Sequence, residues 1–317
     1  MFEPFRPPLL LRSPHAQTLL ASVGRKPAVA AGADPLRRGA HEQLLTTSEG
    51  VILQAWVTPA SEHAGDAAPL VVLIHGWLGS ADSSYALSAA WALNQAGYQV
   101  ARLNLRDHGD TAHLNEGLFH SARTREVVEA VSRLAEGHGG RTGVLGFSLG
   151  GNFALRVARA LGLPTLAVCP AVDPPATMRA IDGGWSAYRY YFLRKWRRSL
   201  LAKQSAFPDL YDFSAALPLR SVAALTDLFV RYHTDFPDTG SYLAAYTLTG
   251  KALAGTDATV VIARDDPIIP QDAFHRLPRS IEVVAMPRGG HCGFVEGHRG
   301  PSWLDREAVR YFDRALR

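Results

Sequence analysis

Three positions in this chain carry residue types that could pass a proton among themselves. They are Ser148 in G-F-S-L-G-G-N, an aspartate in A-R-D-D-P-I-I-P, and His291 in G-G-H-C-G-F. A serine hydroxyl is a weak nucleophile until a base takes its proton, and the base needs an acid to orient it. In chain order they run serine, acid, histidine, each after an apolar, β-branched run. That is the order in which a G-x-S-x-G site for acyl transfer assembles. Ser148 follows T-G-V-L-G-F and precedes N-F-A-L-R-V-A-R-A-L, a strand, a sharp turn and a helix. Gly146 and Gly150 leave room where strand and helix crowd together, so the hydroxyl projects from the carboxyl edge of a sheet. The competing reading is a phosphate-binding glycine turn. It fails on G-x-G-x-x-G, because Ser148 stands where the second glycine is needed.

The acid is Asp265 or Asp266. The segment D-P-I-I-P begins at Asp266, with Pro267 fixing the turn behind it, and this favours Asp266 with Asp265 as a capping group. Acyl transfer also needs donors for the oxyanion, usually two backbone N–H groups. One is expected at Leu149, directly after the nucleophile. The other is expected at Trp77, in the H-G-W-L-G-S loop that follows L-V-V-L-I. His75, Gly76 and Leu78 of that loop are expected around the substrate pocket, His75 as a prop and not as the base.

The elements that must position these groups alternate. Strand patterns fall at 51–57, 70–74, 99–104, 142–147, 164–169, 259–263 and 281–286, and helical patterns at 83–96, 121–136, 152–161 and 303–316. Near-continuous apolar strands between helices indicate a mostly parallel sheet covered on both faces, an α/β fold. In the last helix Trp303, Leu304, Val309, Tyr311, Phe312 and Leu316 share a side that should pack on the sheet. From 170 to 255 the rhythm stops. That stretch has aromatic-rich helical pieces broken by Pro and Gly, with ten Lys and Arg against seven Asp and no Glu. It reads as a helical cap inserted between core segments 1–169 and 256–317.

Composition excludes several classes. The 317 residues are 47% hydrophobic and 20% charged, with a formal net charge of +4, ordinary for a globular α/β protein. A nucleic-acid partner is not expected, since no clustered basic motif accompanies that charge. Two cysteines, Cys169 and Cys292, do not make a disulfide framework, and a reducing, cytoplasmic compartment is expected. The proline-broken start lacks the basic region of a secretory signal, and no run approaches the ~18–20 apolar residues of a membrane span.

Other clusters have plainer readings. His108, His113 and His120 with Asp107 and Asp110 match no standard zinc spacing, and a loop at the pocket mouth accounts for them. No metal or cofactor is expected. Within 185–203, Trp185, Tyr188, Phe192, Trp196 and Leu200 form a helical stripe beside Arg189, Arg194, Lys195, Arg197, Arg198 and Lys203. The helix reads first as a lid that covers the pocket with its apolar face and leaves its charges to solvent; peripheral contact with an anionic membrane is a second use of the same residues. Cys169 reads as a core residue ending its strand, and nothing in the sequence arranges Cys292 as a nucleophile.

Taken together, F-x-P-P, P-H-A-Q-T-L-L, L-I-H-G-W-L-G-S-A-D-S-S-Y, N-L-R-D-H-G, F-H-S-A, G-F-S-L-G-G-N, A-R-D-D-P-I-I-P and G-G-H-C-G-F-V resemble the α/β-hydrolases. The resemblance is closer to their YheT-like branch, which includes mammalian abhydrolase-domain esterases, and it spans residues 2 to 298. It implies a serine hydrolase acting on carboxylic esters, lipid esters included, with Ser148, Asp266 and His291 at the matching positions. One departure is R-D-H-G-D-T, where many relatives carry arginine-glycine-cysteine; that loop shapes the acyl pocket. Membrane-anchored relatives begin with a span that this sequence does not show. A thioesterase or acyltransferase would use the same three residues, and a ligand-binding module that had lost activity is the rival from another class. Epoxide hydrolase chemistry is disfavoured, because it places an aspartate where Ser148 stands.

Overall fold

In a computed structural model, the described residues are 2–24, 26–60, 68–297 and 300–317. Eight strands form one sheet: β1 (His41–Thr46), β2 (Ile52–Thr58), β3 (Leu70–Ile74), β4 (Gln99–Asn104), β5 (Thr142–Phe147), β6 (Thr165–Val168), β7 (Ala258–Ala263) and β8 (Ile281–Met286). Their spatial order is β1-β2-β4-β3-β5-β6-β7-β8. Strands β3 to β8 pair in parallel, while β2 runs antiparallel to both β1 and β4. The central strands β3, β5 and β7 are buried at every position, because helices cover both faces and no alternation with polar residues is needed.

Eleven α-helices accompany the sheet among the described residues. Three precede it: α1 (Pro14–Leu19), α2 (Lys26–Gly32) and α3 (Asp34–Arg38). Within the core lie α4 (Ser84–Gln95), α5 (Thr124–Ala135), α6 (Leu149–Leu161) and α11 (Trp303–Leu316). Between β6 and β7 come α7 (Pro174–Gly183), α8 (Ser186–Ala206), α9 (Val222–His233) and α10 (Thr239–Ala244), and the sheet resumes at Ala258. Trp303, Leu304, Phe312 and Leu316 are buried on one sheet face, with Val309 and Tyr311 packed at the edge of that cluster. Ser302 caps this helix in a reciprocal box with Asp305, which satisfies two N–H groups left open at a helix start.

Strand β1 is absent from the sequence reading. Its burial alternates weakly, with Leu45 the buried residue, and a solvent-facing edge strand needs no continuous apolar run. It is held as a hairpin partner of β2, in which His41 faces Val57 and Thr46 faces Ile52. The basic helix turns its apolar stripe inward, as the lid reading expects, but its charges are not left to solvent as expected. Tyr188, Phe192 and Leu200 are buried and Trp196 packs against the same cluster, so most of the apolar stripe faces the protein. Of its six cations, Lys203 is fully buried, Lys195 donates to the Leu78 carbonyl at 2.7 Å, and Arg189 to the Asp182 carbonyl at 2.9 Å. Arg197 donates to the Leu219 carbonyl. Only Arg194 and Arg198 of the six are exposed. No helix of the described residues is long and apolar enough to cross a membrane.

Candidate active site

Ser148 stands between β5 and the first residue of α6, with φ 54° and ψ −119°. A non-glycine residue in that region is strained, and the turn is held by backbone bonds on both sides. The Ser148 N–H donates to the Val168 carbonyl at 2.9 Å, and its own carbonyl accepts from Asn152 at 3.1 Å and Ala171 at 3.2 Å. The two glycines are required by close approach. A Cβ on Gly150 would lie 2.2 Å from the Ile74 oxygen, and one on Gly146 would lie 2.3 Å from the Gly150 oxygen. Any side chain there would drive the helix off the sheet.

His291 follows β8 and Asp266 follows β7, and the His291 Nδ1 lies 2.8 Å from Asp266 Oδ2. The other carboxylate oxygen of Asp266 accepts from the Ile268 N–H at 2.8 Å and the Ile269 N–H at 2.9 Å. Asp266 is thereby fixed in place, with Oδ2 left for the imidazole. Asp265 points elsewhere and accepts from the Gly290 N–H at 2.9 Å. Burial disfavours a charged His291, but the Asp266 carboxylate and the adjacent Cys292 outweigh it and raise its pKa well above the ordinary value. Among the described residues the Ser148 hydroxyl has no hydrogen-bond partner. The serine and histidine loops nevertheless meet at one group, the Val168 carbonyl, which takes the Ser148 N–H and contacts the Cys292 sulfur at 3.7 Å. Such bonds are often open without substrate.

The helix that begins at Leu149 turns its N-terminus toward the same place, where unpaired N–H groups favour negative charge. Neither the Leu149 N–H nor the Trp77 N–H is hydrogen-bonded among the described residues. Trp77, Ser148 and Leu149 together line a cavity of about 800 Å3, its mouth to solvent included. The rest of its wall comes from the core and from α7 to α10, including Met178, Ile181, Phe192, Trp196, Phe229 and Ile268. Trp77 stacks on Phe192 at 5.6 Å and meets Trp196 edge-on at 5.0 Å, so the loop after β3 is clamped by α8. No Asp, Glu, Lys or Arg is among the lining residues.

His75, Gly76 and Leu78, expected around this pocket, stand behind its wall. His75 is buried, with Nδ1 2.8 Å from the Gly76 carbonyl and Nε2 accepting the Leu105 N–H at 3.2 Å. Both ring nitrogens are therefore spent on backbone. Burial, then the neighbouring His108, lowers its pKa to about 3. Gly76 lets the backbone pass the nucleophile, since a Cβ there would lie 3.2 Å from that of Ser148. Leu78 gives its carbonyl to Lys195.

The histidine–aspartate cluster separates. His108 is buried against the Arg106 carbonyl at 2.7 Å, His113 and Asp110 are exposed, and His120 reaches the cavity wall. Asp107 is buried and paired with Lys203 of α8 at 2.9 Å. The sequence reading missed two groups that hold the histidine loop. Thr18 accepts the His291 N–H at 2.9 Å, and Gln17, fully buried, donates to the Val295 carbonyl and accepts the Val295 N–H at 2.9 and 2.7 Å. Both lie in P-H-A-Q-T-L-L, where a polar pair inside an otherwise apolar helix was the available signal. It also missed the meeting of Cys169 with Cys292. Their sulfurs and a His291 ring nitrogen lie within 4.8 Å of one another.

The model of the alpha/beta hydrolase family matches residues 71–300. YheT of Escherichia coli (strain K12) is 25% identical, covering 74% of this chain and 76% of its own. Among solved structures, the Pyrococcus furiosus esterase Pf2001 superposes with a TM-score of 0.55 at 17% identity, over 88% of this chain and 91% of its own. The serine hydrolase CCSP0084 from a Cycloclasticus bacterium gives 0.58 at 18%, over 87% and 98%. The likeness to those structures is one of fold. The matched span carries Ser148, Asp266 and His291 on the strand ends described above, and the chain is a member of the α/β-hydrolase family, on the side of its YheT-like branch.

Proposed function

We propose that this chain is a serine esterase for uncharged carboxylic esters with an apolar acyl group. The observation that carries the reading is Ser148 in a strained turn on the wall of one apolar cavity, beside the unpaired N–H groups of Trp77 and Leu149. His291, oriented by Asp266, takes the Ser148 proton as the oxygen attacks the ester carbonyl. The Trp77 and Leu149 N–H groups receive the oxyanion. His291 then returns the proton to the leaving alcohol, and water repeats the sequence on the acyl-enzyme. A wall without ionised side chains offers no partner for a charge leaving water, which supports an uncharged acyl substrate. The relatives named as esterase and serine hydrolase are consistent with this chemistry.

A fluorophosphonate probe and p-nitrophenyl esters of graded acyl length test the reading. Wild type should be labelled, and Ser148→Ala should lose labelling and at least ~10³-fold of turnover. Unchanged labelling and turnover in the variant would refute it. A parallel thioester series distinguishes a thioesterase, and added alcohol giving new ester distinguishes an acyltransferase.

A further inference from the structure

We propose that Cys169, Cys292 and His291 form an inhibitory site for a soft divalent cation such as Zn2+. Two thiol sulfurs and an imidazole nitrogen, each within 4.8 Å of the others, are the donor types such ions prefer. They come from two strand ends. Cys169 directly follows β6, and Cys292 follows His291 after β8. The two segments lie side by side: the Cys292 sulfur is 3.7 Å from the Val168 carbonyl, and the Cys169 sulfur 3.9 Å from the Gly290 carbonyl. Both cysteines have left-handed backbone, φ 44° and 55°. That conformation is costly outside glycine and persists only where the surroundings impose it.

Zinc bonds sulfur at about 2.3 Å and nitrogen at about 2.0 Å, which sets tetrahedral donors roughly 3.5–4 Å apart. A contraction of about 1 Å in side-chain position reaches that geometry. The third requirement is already built. A metal-bound imidazole usually gives its other ring N–H to a carboxylate, and His291 Nδ1 is 2.8 Å from Asp266. Nε2 is then the nitrogen that coordinates. A small recess, about 280 Å3 with open solvent included, has Cys292, Tyr85, Ser84, Ser88 and Asp305 in its wall. Binding displaces the protons held by the two thiols and by Nε2 of His291 and commits the Nε2 lone pair, so His291 can no longer accept the serine proton. Hard cations, which prefer oxygen, should not compete.

The inhibitory part rests on the proposed role of His291; the binding part does not. The test is a titration of the full chain with Cd2+, followed by thiolate charge-transfer absorbance, alongside ester hydrolysis at buffered free Zn2+. One saturating equivalent of Cd2+, with Zn2+ inhibition reversed by EDTA and no effect of Mg2+, is the expected result. Cys169→Ala and Cys292→Ala should each weaken Cd2+ binding by on the order of 100-fold while still hydrolysing ester. No absorbance change in the wild type, or Cd2+ binding unchanged in both variants, would overturn the site; binding without inhibition would overturn its inhibitory role. Cys169→Ser, checked for native circular dichroism, replaces the alanine variant should that one unfold. Because the absorbance needs no turnover, it decides the metal site even if ester hydrolysis is never observed.

Discussion

Asp265 and Asp266 are neighbours of identical chemistry, yet their surroundings give them different work. Asp266 accepts two backbone N–H bonds on one oxygen and faces His291 with the other, whereas Asp265 ties down Gly290. Asp266→Asn should therefore favour the wrong imidazole tautomer and lower kcat by ~10⁴-fold with the fold intact. Asp265→Asn keeps an acceptor for Gly290 and should cost no more than about 10-fold. Comparing kcat for the two variants on one ester checks the assignment, and equal losses would contradict it.

At the scale of elements, the helices between β6 and β7 are joined to the core by a charge. Lys203 of α8 is buried against Asp107 and also donates to the carbonyls of Ala112 and Gly117 at 3.3 and 3.2 Å. One lysine thus fastens the whole 107–117 loop. Lys203→Met leaves Asp107 buried without its partner and should destabilise the protein by about 3–5 kcal/mol. Adding Asp107→Asn removes the orphaned charge and should restore part of that loss. Urea midpoints at constant m-value measure both.

For the whole molecule, buried neutral histidines set a stability limit on the acid side. Burial, the largest cause for each, lowers the pKa of His75 to about 3 and of His108 to about 4, below the ~6.5 of an unfolded chain. Between those values the unfolded state binds protons that the folded state refuses. The share of stability set by these two rings is therefore full above pH ~6.5 and falls toward pH 4, by about 1.4 kcal/mol per unit for each histidine that is protonated only when unfolded. Unfolding in urea at pH 7.5 and pH 5.0 should show the lower stability at pH 5.0, and a flat profile would contradict neutral burial. These two rings lie behind the catalytic loops, so the same titration loosens the site from below.

Much of this was legible along the chain, because apolar strands and glycine turns are local requirements. The run T-G-V-L-G-F, the two glycines around Ser148 and the order serine, aspartate, histidine determined the α/β sheet and the three loops that meet at its edge. Contacts between distant segments left at most a mark that names no partner. Gln17 and Thr18 hold a loop more than 270 residues away, Cys169 meets Cys292 across two strand ends, and β1 is a strand because β2 lies beside it. The basic helix shows the same limit, for periodicity identifies a stripe without saying what covers it. Only the tertiary structure decided that four of that helix's six cations are drawn in beside the apolar stripe, since burial depends on neighbours that local sequence does not name.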